Sequence, residues 1–274
     1  MIDFSALQGL TIPEGKVTKI EAGGIVLWKL QSDDPSTNKI ILEIKTANIN
    51  SSGHTGILLD VYLKSGGTAT ITYGDITETI TDDGTVENPN AQLVSFSSVQ
   101  NIPSSGTLTI EGDCVAFGIG TYTAAKGGSF DYCSCVAGIT DFGNIKYIPD
   151  YAFFDCNEIV IPDIPEGVES IGYCSFDKYF DDSMVYTDTL VLPSTLKSIG
   201  SNAFVYYNNS AGIDRGSHVL NIIIKATTPP TLGADCFGVL EYAPNIYVPI
   251  GCGEIYKAAD GWSVYASKIM EVAE

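Results

Sequence analysis

Histidine is almost missing from this chain. Only His54 and His218 occur, the first in Ser51-Ser52-Gly53-His54-Thr55-Gly56 and the second in Arg215-Gly216-Ser217-His218. Neither stands beside a patterned nucleophile, so no triad is assigned, and both rings are expected to be solvated. A phosphate-cradling glycine loop, a dinucleotide fingerprint and a His-Glu-x-x-His pair are also missing. No catalytic residue and no cofactor is therefore assigned. Basic residues are scarce, with 14 Lys and Arg against 33 Asp and Glu, for a net charge of −19. Such a surface repels phosphate backbones and anionic membranes, which argues against a nucleic-acid partner and against membrane binding. No run approaches the roughly 18 apolar residues of a membrane span, so no membrane insertion is expected. Met1-Ile2-Asp3-Phe4-Ser5 does not begin a basic-then-apolar leader. The chain is accordingly expected to stay in the cytoplasm until something carries it out. Long helical periodicity is nearly absent.

Metal signals are incomplete. The seven cysteines are odd in number, and most are expected to be buried thiols filling space. Cys133-Ser134-Cys135 offers half a zinc site with no second pair at a fitting distance. Asp177, Asp181, Asp182 and Asp188 lack the spacing of a calcium loop and read as a solvated acidic loop. Asp82-Asp83-Gly84 with Glu87 and Asn88 reads the same way. No metal is assigned. Paired loop carboxylates leave glycan hydrolysis as a third functional alternative.

What the chain does hold favours strands and turns: 28 Gly, 15 Tyr and 11 Phe, with a hydrophobic share of 45%. Residues 9–28 read as two short strands around Ala22-Gly23-Gly24, exposing Ile12, Val17, Ile20, Ile25, Leu27 and Trp28. The polar stretch Gln31–Asn38 follows as a linker. Seven runs follow, most of them alternating with period two: Lys39–Ala47, Gly56–Lys64, Thr68–Tyr73, Ile76–Thr81, Leu93–Val99, Thr107–Glu111 and Cys114–Ile119. Seven short strands with turn residues between them predict a β-sandwich over residues 38–130. Within it, Thr70-Ile71-Thr72-Tyr73-Gly74-Asp75 is similar to a strand–turn–strand of PKD-type immunoglobulin-like domains, with Tyr73 in place of a Trp.

Residues 131–274 carry an internal repeat. Ile148–Phe153, Ile171–Phe176, Ile199–Phe204 and Leu232–Phe237 each read Ile or Leu, Gly or Pro, two variable residues, a small residue, then Phe. Further strand-like runs lie at Glu158–Pro162, Thr189–Pro193, Asn221–Ala226 and Asn245–Pro249. Such units cannot cover their apolar faces alone, so they predict a stack of coils with Ile148, Phe153, Ile171, Phe176, Ile199, Phe204, Leu232 and Phe237 inside. The Gly or Pro is read as allowing a tight turn, and the small residue as letting coils approach. Asp177–Asp188 and Val205–Ser217 read as inserted loops. Their Tyr179, Phe180, Asp181, Asp182, Tyr206, Tyr207, Asn208 and Asn209 are the candidate binding residues, because aromatic rings beside amides and carboxylates suit protein or glycan contact.

Leu192–Phe204 (LPSTLKSIGSNAF) resembles a repeat of the BspA-like leucine-rich repeat family, and Thr228–Ile269 is similar to that family's closing segment. The resemblance implies a leucine-rich-repeat solenoid ending in a capping helix over about 253–270, its apolar face formed by Ile255, Tyr256, Ala259, Trp262, Tyr265 and Ile269. The opening segment is similar to tail-associated structural proteins of phages of Gram-positive gut bacteria. The expected whole is mainly β: an N-terminal attachment hairpin and linker (1–37), an immunoglobulin-like sandwich (38–130) and the solenoid (131–274). The expected function is a non-enzymatic virion component, attached to other virion proteins by the hairpin, assembled as a homotrimer, and recognising a bacterial surface protein or glycan. A bacterial cell-surface adhesin is the alternative.

Overall fold

The computed structural model describes residues 20–22, 25–28, 38–44, 56–82, 92–97, 105–119, 136–179, 184–208 and 213–272. The chain forms two bodies, Met1–Thr37 and Asn38–Glu274. In the first, β1 (Ile20–Ala22) and β2 (Ile25–Trp28) pair antiparallel, Ile20 opposite Trp28 and Ala22 opposite Ile25. Four of the six candidate attachment residues, Ile20, Ile25, Leu27 and Trp28, are on these strands. Ile12 and Val17 lie outside the described residues.

The second body is mainly β. It begins with β3 (Lys39–Ile44), β4 (Gly56–Leu63), β5 (Thr68–Tyr73), β6 (Ile76–Thr81), β7 (Gln92–Ser97), β8 (Gly106–Gly112), β9 (Cys114–Ile119) and β10 (Val136–Asp141). A five-stranded sheet in the order β10-β3-β8-β5-β6 and a three-stranded sheet β7-β4-β9 result, antiparallel throughout. Period-two patterning puts Ile40, Leu42, Ile71, Tyr73, Leu108 and Ile110 of the first sheet into one core with Ile57, Leu59 and Val61 of the second. Each such side chain contributes roughly 1.5–3 kcal/mol by leaving water. The alternate residues of the β5–β6 hairpin form a threonine face, with Thr68–Thr81, Thr70–Thr79 and Thr72–Thr77 hydroxyl pairs. Gly74 takes φ 60° in the two-residue loop between these strands, a conformation that tight hairpins demand. Strand β10 lies beyond the boundary expected at residue 130, yet it pairs with β3.

The strands that follow are shorter: β11 (Tyr147–Ile148), β12 (Ser170–Ile171), β13 (Lys178–Tyr179), β14 (Thr187–Leu192), β15 (Ser198–Ile199), β16 (Val205–Asn208), β17 (Ile213–Ser217), β18 (Val219–Ile224), β19 (Thr231–Leu232), β20 (Asn245–Pro249) and β21 (Ile269–Val272). They build two parallel sheets, β11-β12-β15-β19 and β14-β18-β20-β21, and a mixed sheet, β13-β16-β17. Ile148, Ile171, Ile199 and Leu232 fall in register across the first of these. Beneath them Phe153, Phe176, Phe204 and Phe237 stack, with centroid separations of 5.1, 5.6 and 5.9 Å and interplanar angles of 13°, 7° and 14°. All four rings are buried.

The glycine after Ile or Leu has a different role from the one its motif position suggests. Gly172, Gly200 and Gly233 have no left-handed φ. They are needed because neighbouring backbones touch there: a Cβ on Gly200 would lie 2.5 Å from the Gly172 carbonyl carbon, and one on Gly233 would collide with Ser201. The turn is made two residues later, where Tyr151, Cys174, Asn202 and Asp235 take φ of 58°, 48°, 57° and 52°. Asn and Asp tolerate this left-handed state best among non-glycine residues.

Two expected elements differ. Glu158–Pro162 forms no strand. The segment meets β14 through isolated bonds and no ladder: Ile161 N donates to Thr187 Oγ1 at 2.9 Å, Val191 N to Asp163 Oδ1 at 3.1 Å and Ile164 N to Val191 O at 3.0 Å. The expected terminal helix is three elements: helix α1 (Gly253–Ala258), a 3-10 segment Ser263–Lys268, and β21, which continues the parallel sheet beside β20. The break comes at Asp260-Gly261, where Gly261 has φ 77°. Three side chains pin these elements: Trp262 Nε1 donates to Pro230 O at 2.7 Å, Tyr256 Oη to Ala226 O at 2.7 Å, and Tyr265 Oη to Gly238 O at 2.9 Å. Ile255, placed on the apolar face by its spacing, is 57% exposed, and Ile269 is buried from the strand.

Candidate recognition surface

The candidate binding residues divide. Tyr179 is on β13 and Asn208 on β16, while Phe180, Asp181, Asp182 and Asn209 lie outside the described residues. Tyr207, also on β16, is half-buried. Tyr206 is not displayed: it is 6% exposed, because β16 turns it inward. Its ring meets Tyr186 edge-on at 6.0 Å and fills the space that a side chain at Gly216 would need. Burial pushes its hydroxyl pKa up to about 12. The acidic loop is likewise not solvated throughout, since Asp177 is 2% exposed whereas Asp188 faces water.

The residues that the repeat itself brings to the surface are others. On each left-handed turn, the two positions between the Gly or Pro and the small residue face outward or are half-buried, Cys174 excepted. They are Asp150 and Tyr151, Tyr173, Ser201 and Asn202, Ala234 and Asp235. Backbone bonds lock these turns coil to coil: Tyr151 N to Tyr173 O at 2.8 Å, Cys174 N to Ser201 O at 3.0 Å, and Asn202 N to Ala234 O at 3.1 Å. Asp150 Oδ1 accepts from Tyr173 N at 2.7 Å. The Tyr151 and Tyr173 rings meet edge-on at 5.2 Å, and Tyr173 remains 39% exposed. Burial, with Tyr173 next to it, pushes the Tyr151 hydroxyl up to about 12, so it stays a neutral donor at any ordinary pH. Asp150 thus combines with two tyrosine rings at one end of the edge, and exposed Asp235 stands at the other. This set can stack on an apolar face and hydrogen-bond to hydroxyls or amides. The sequence did carry a signal for it, since the two variable motif positions are where this edge points.

The repeat now has both its geometry and its spacing. Residues 123–227 match BspA type leucine rich repeat region, in six copies. This match starts before β10 and stops short of the Leu232–Phe237 turn. No curated protein matches the chain.

Within the matched residues, a polar cluster is buried where β13 and β17 join the coils. Lys178 is 1% exposed, and its Nζ donates to the carbonyls of Asn157, Ile159 and Val185 at 3.3, 2.8 and 3.0 Å. Burial lowers its pKa to about 8. His218, expected to be solvated, is fully buried, because the short link from β17 to β18 passes through the interior. Its Nε2 lies 2.7 Å from Phe176 O. Burial, together with the Lys178 charge, holds its pKa well below the ordinary histidine value. His54, Cys133 and Cys135 lie outside the described residues. Cys114, Cys156, Cys174, Cys236 and Cys252 are buried thiols. Among the described residues, no three His, Cys, Asp or Glu side chains converge as metal ligands, and no helix is long and apolar enough to cross a membrane.

Proposed function

We propose that this chain is a non-enzymatic recognition protein of a virion exterior, whose repeat region displays a rigid edge toward a bacterial surface protein or glycan. In this reading the parallel sheets are a leucine-rich-repeat solenoid, closed at its far end by α1, Trp262 and β21. The antiparallel sheets are an immunoglobulin-like sandwich that carries it. The hairpin β1–β2 attaches the chain to other virion proteins, as a homotrimer. The observation that carries the reading is the locked row of left-handed turns bearing Asp150, Tyr151 and Tyr173. Tyrosines held in place lose little entropy on contact with a ligand.

The repeat match favours a second reading, a bacterial cell-surface adhesin using the same edge. Two experiments separate and test the readings. Antibody–gold labelling should decorate purified virions and leave uninfected cells bare; the reverse pattern selects the adhesin. Fluorescently labelled protein should bind bacterial cells, and Tyr151→Ala with Tyr173→Ala should weaken binding by about tenfold or more, the effect of a hot-spot aromatic. Undiminished binding by a folded double variant would remove the edge from the argument.

A further inference from the structure

We propose that His218 and Lys178 form an acid-sensitive latch, which holds the β13-β16-β17 sheet against the repeat ladder near neutral pH and lets it go on mild acidification. This inference is independent of what the turn edge binds.

The latch rests on where the two side chains sit. His218 is the single residue between β17 and β18, and its backbone carbonyl accepts from Thr187 N at the start of β14, 2.9 Å away. Its ring reaches back to Phe176 O, two residues before Lys178 and β13. One residue thus joins the last strand of the sheet to the coil that launches the first. Lys178 does the complementary job. Its ammonium gathers carbonyls from Asn157 and Ile159 in the preceding coil and from Val185, two residues before β14. Strand β13 has two residues, paired with β16 through Lys178–Tyr206 and Tyr179–Tyr207. Few backbone bonds compete with these side-chain ties.

The protonation states follow from the partners. A carbonyl only accepts, so the assigned tautomer has Nε2 donating to Phe176 O and Nδ1 bare. Nδ1 is buried with no hydrogen-bond partner. Lys178 has three acceptors for three protons, so the site already holds a cation that repels a second one. The other charged groups nearby offer little relief: Asp177 is buried and faces the Cys174 thiol, and Asp188 on β14 faces water. A proton on Nδ1 would put a second charge into the same dry site, beside the Lys178 ammonium. His218 has a folded pKa below its unfolded one, so the bonus for the closed state is complete above about 6.5 and drains away as pH falls below it. The phenylalanine column contains no titrating group and does not respond.

Amide hydrogen exchange at about pH 7.5 and about pH 5, corrected for intrinsic rates, tests this. Amides of residues 178–179, 205–208 and 213–217 should lose at least about tenfold more protection than those of Phe176, Gly200 and Phe204, which bond coil to coil. His218→Gln keeps a donor for Phe176 O but takes up no proton, so the selective loss should vanish. Even loss across both sets, no loss, or an unchanged selective loss in His218→Gln would overturn the latch. Should that variant not fold, the wild-type ring decides by its own NMR titration. Protonation together with selective opening supports the latch, and protonation at an ordinary histidine pH with the sheet still protected ends it.

Discussion

The ring of Phe117, on β9, meets the ring of Phe153 edge-on, 5.5 Å between centroids and 79° between planes. Phe153 is the first of the four stacked rings, and Phe142 lies 6.1 Å from Phe117 and 6.2 Å from Phe153. At the other end Phe237 meets Trp262 at 5.9 Å and Tyr265 at 5.5 Å. One aromatic column therefore begins in an antiparallel sheet and ends among the terminal elements. The backbone follows, with Lys146 N donating to Val115 O at 2.7 Å just before β11. The first coil thus lies against β9, where an isolated repeat would leave its apolar face in water.

Phe117→Ala should therefore weaken both halves at once. The ring is 1% exposed, so truncation costs about 3–5 kcal/mol through lost transfer and the cavity left behind. Urea unfolding followed by circular dichroism and by tryptophan fluorescence should shift together. A shift in one probe alone would show that the halves unfold independently.

Gly200→Ala tests the close approach of coils. The added methyl group meets fixed backbone of the coil before, so a loss of about 1–3 kcal/mol is expected, as for overpacking. Gly66→Ala is the comparison: φ is 69° and the space around it is open, so only the left-handed strain of about 1 kcal/mol applies. Thermal melts of the two variants should rank Gly200→Ala as the less stable, and the opposite order would contradict the spacing argument.

Stability should fall on the acid side because of His218. Its pKa is depressed by folding, so unfolded chains bind the proton first below about 6.5, and the folded state loses up to about 1.4 kcal/mol per pH unit. Denaturant midpoints measured between about pH 7.5 and about pH 5 should fall more steeply for wild type than for His218→Gln. Parallel curves would mean that the buried imidazole does not govern the slope.

The thiols should be inert in the native state. Burial pushes Cys114 and Cys174 up to about 12 and Cys236 well above the ordinary thiol value. Thiolate is the reactive form, so iodoacetamide at about pH 8 should leave these three unmodified until denaturant is added. Rapid labelling of any of them in folded protein would place it nearer water than described.

Much of this was legible in the residues. Period-two alternation in most of the runs, with turn residues between them, located the seven strands from Lys39 to Ile119, because an alternating strand buries one face. The recurring Ile and Phe located the coil interior for the same reason. The Glu158–Pro162 run shows the limit, since its apolar pattern suits a strand while the Thr187 and Asp163 side chains take up bonds that a ladder would use. In the terminal segment, helical spacing from Ile255 to Ile269 hid the interruption at Gly261, which only backbone geometry exposes.

Composition and repeat spacing on their own determined the mainly β character and the apolar interior of the coils. These depend on how apolar residues are spaced along the chain. Tertiary structure alone decided that β10 belongs with β3, that Phe117 of β9 packs against the first stacked ring, that glycine serves close packing rather than turning, and that His218 and Tyr206 are inside. Each of these depends on which distant backbone passes nearby, and separation in space between such segments is not written in their separation along the sequence.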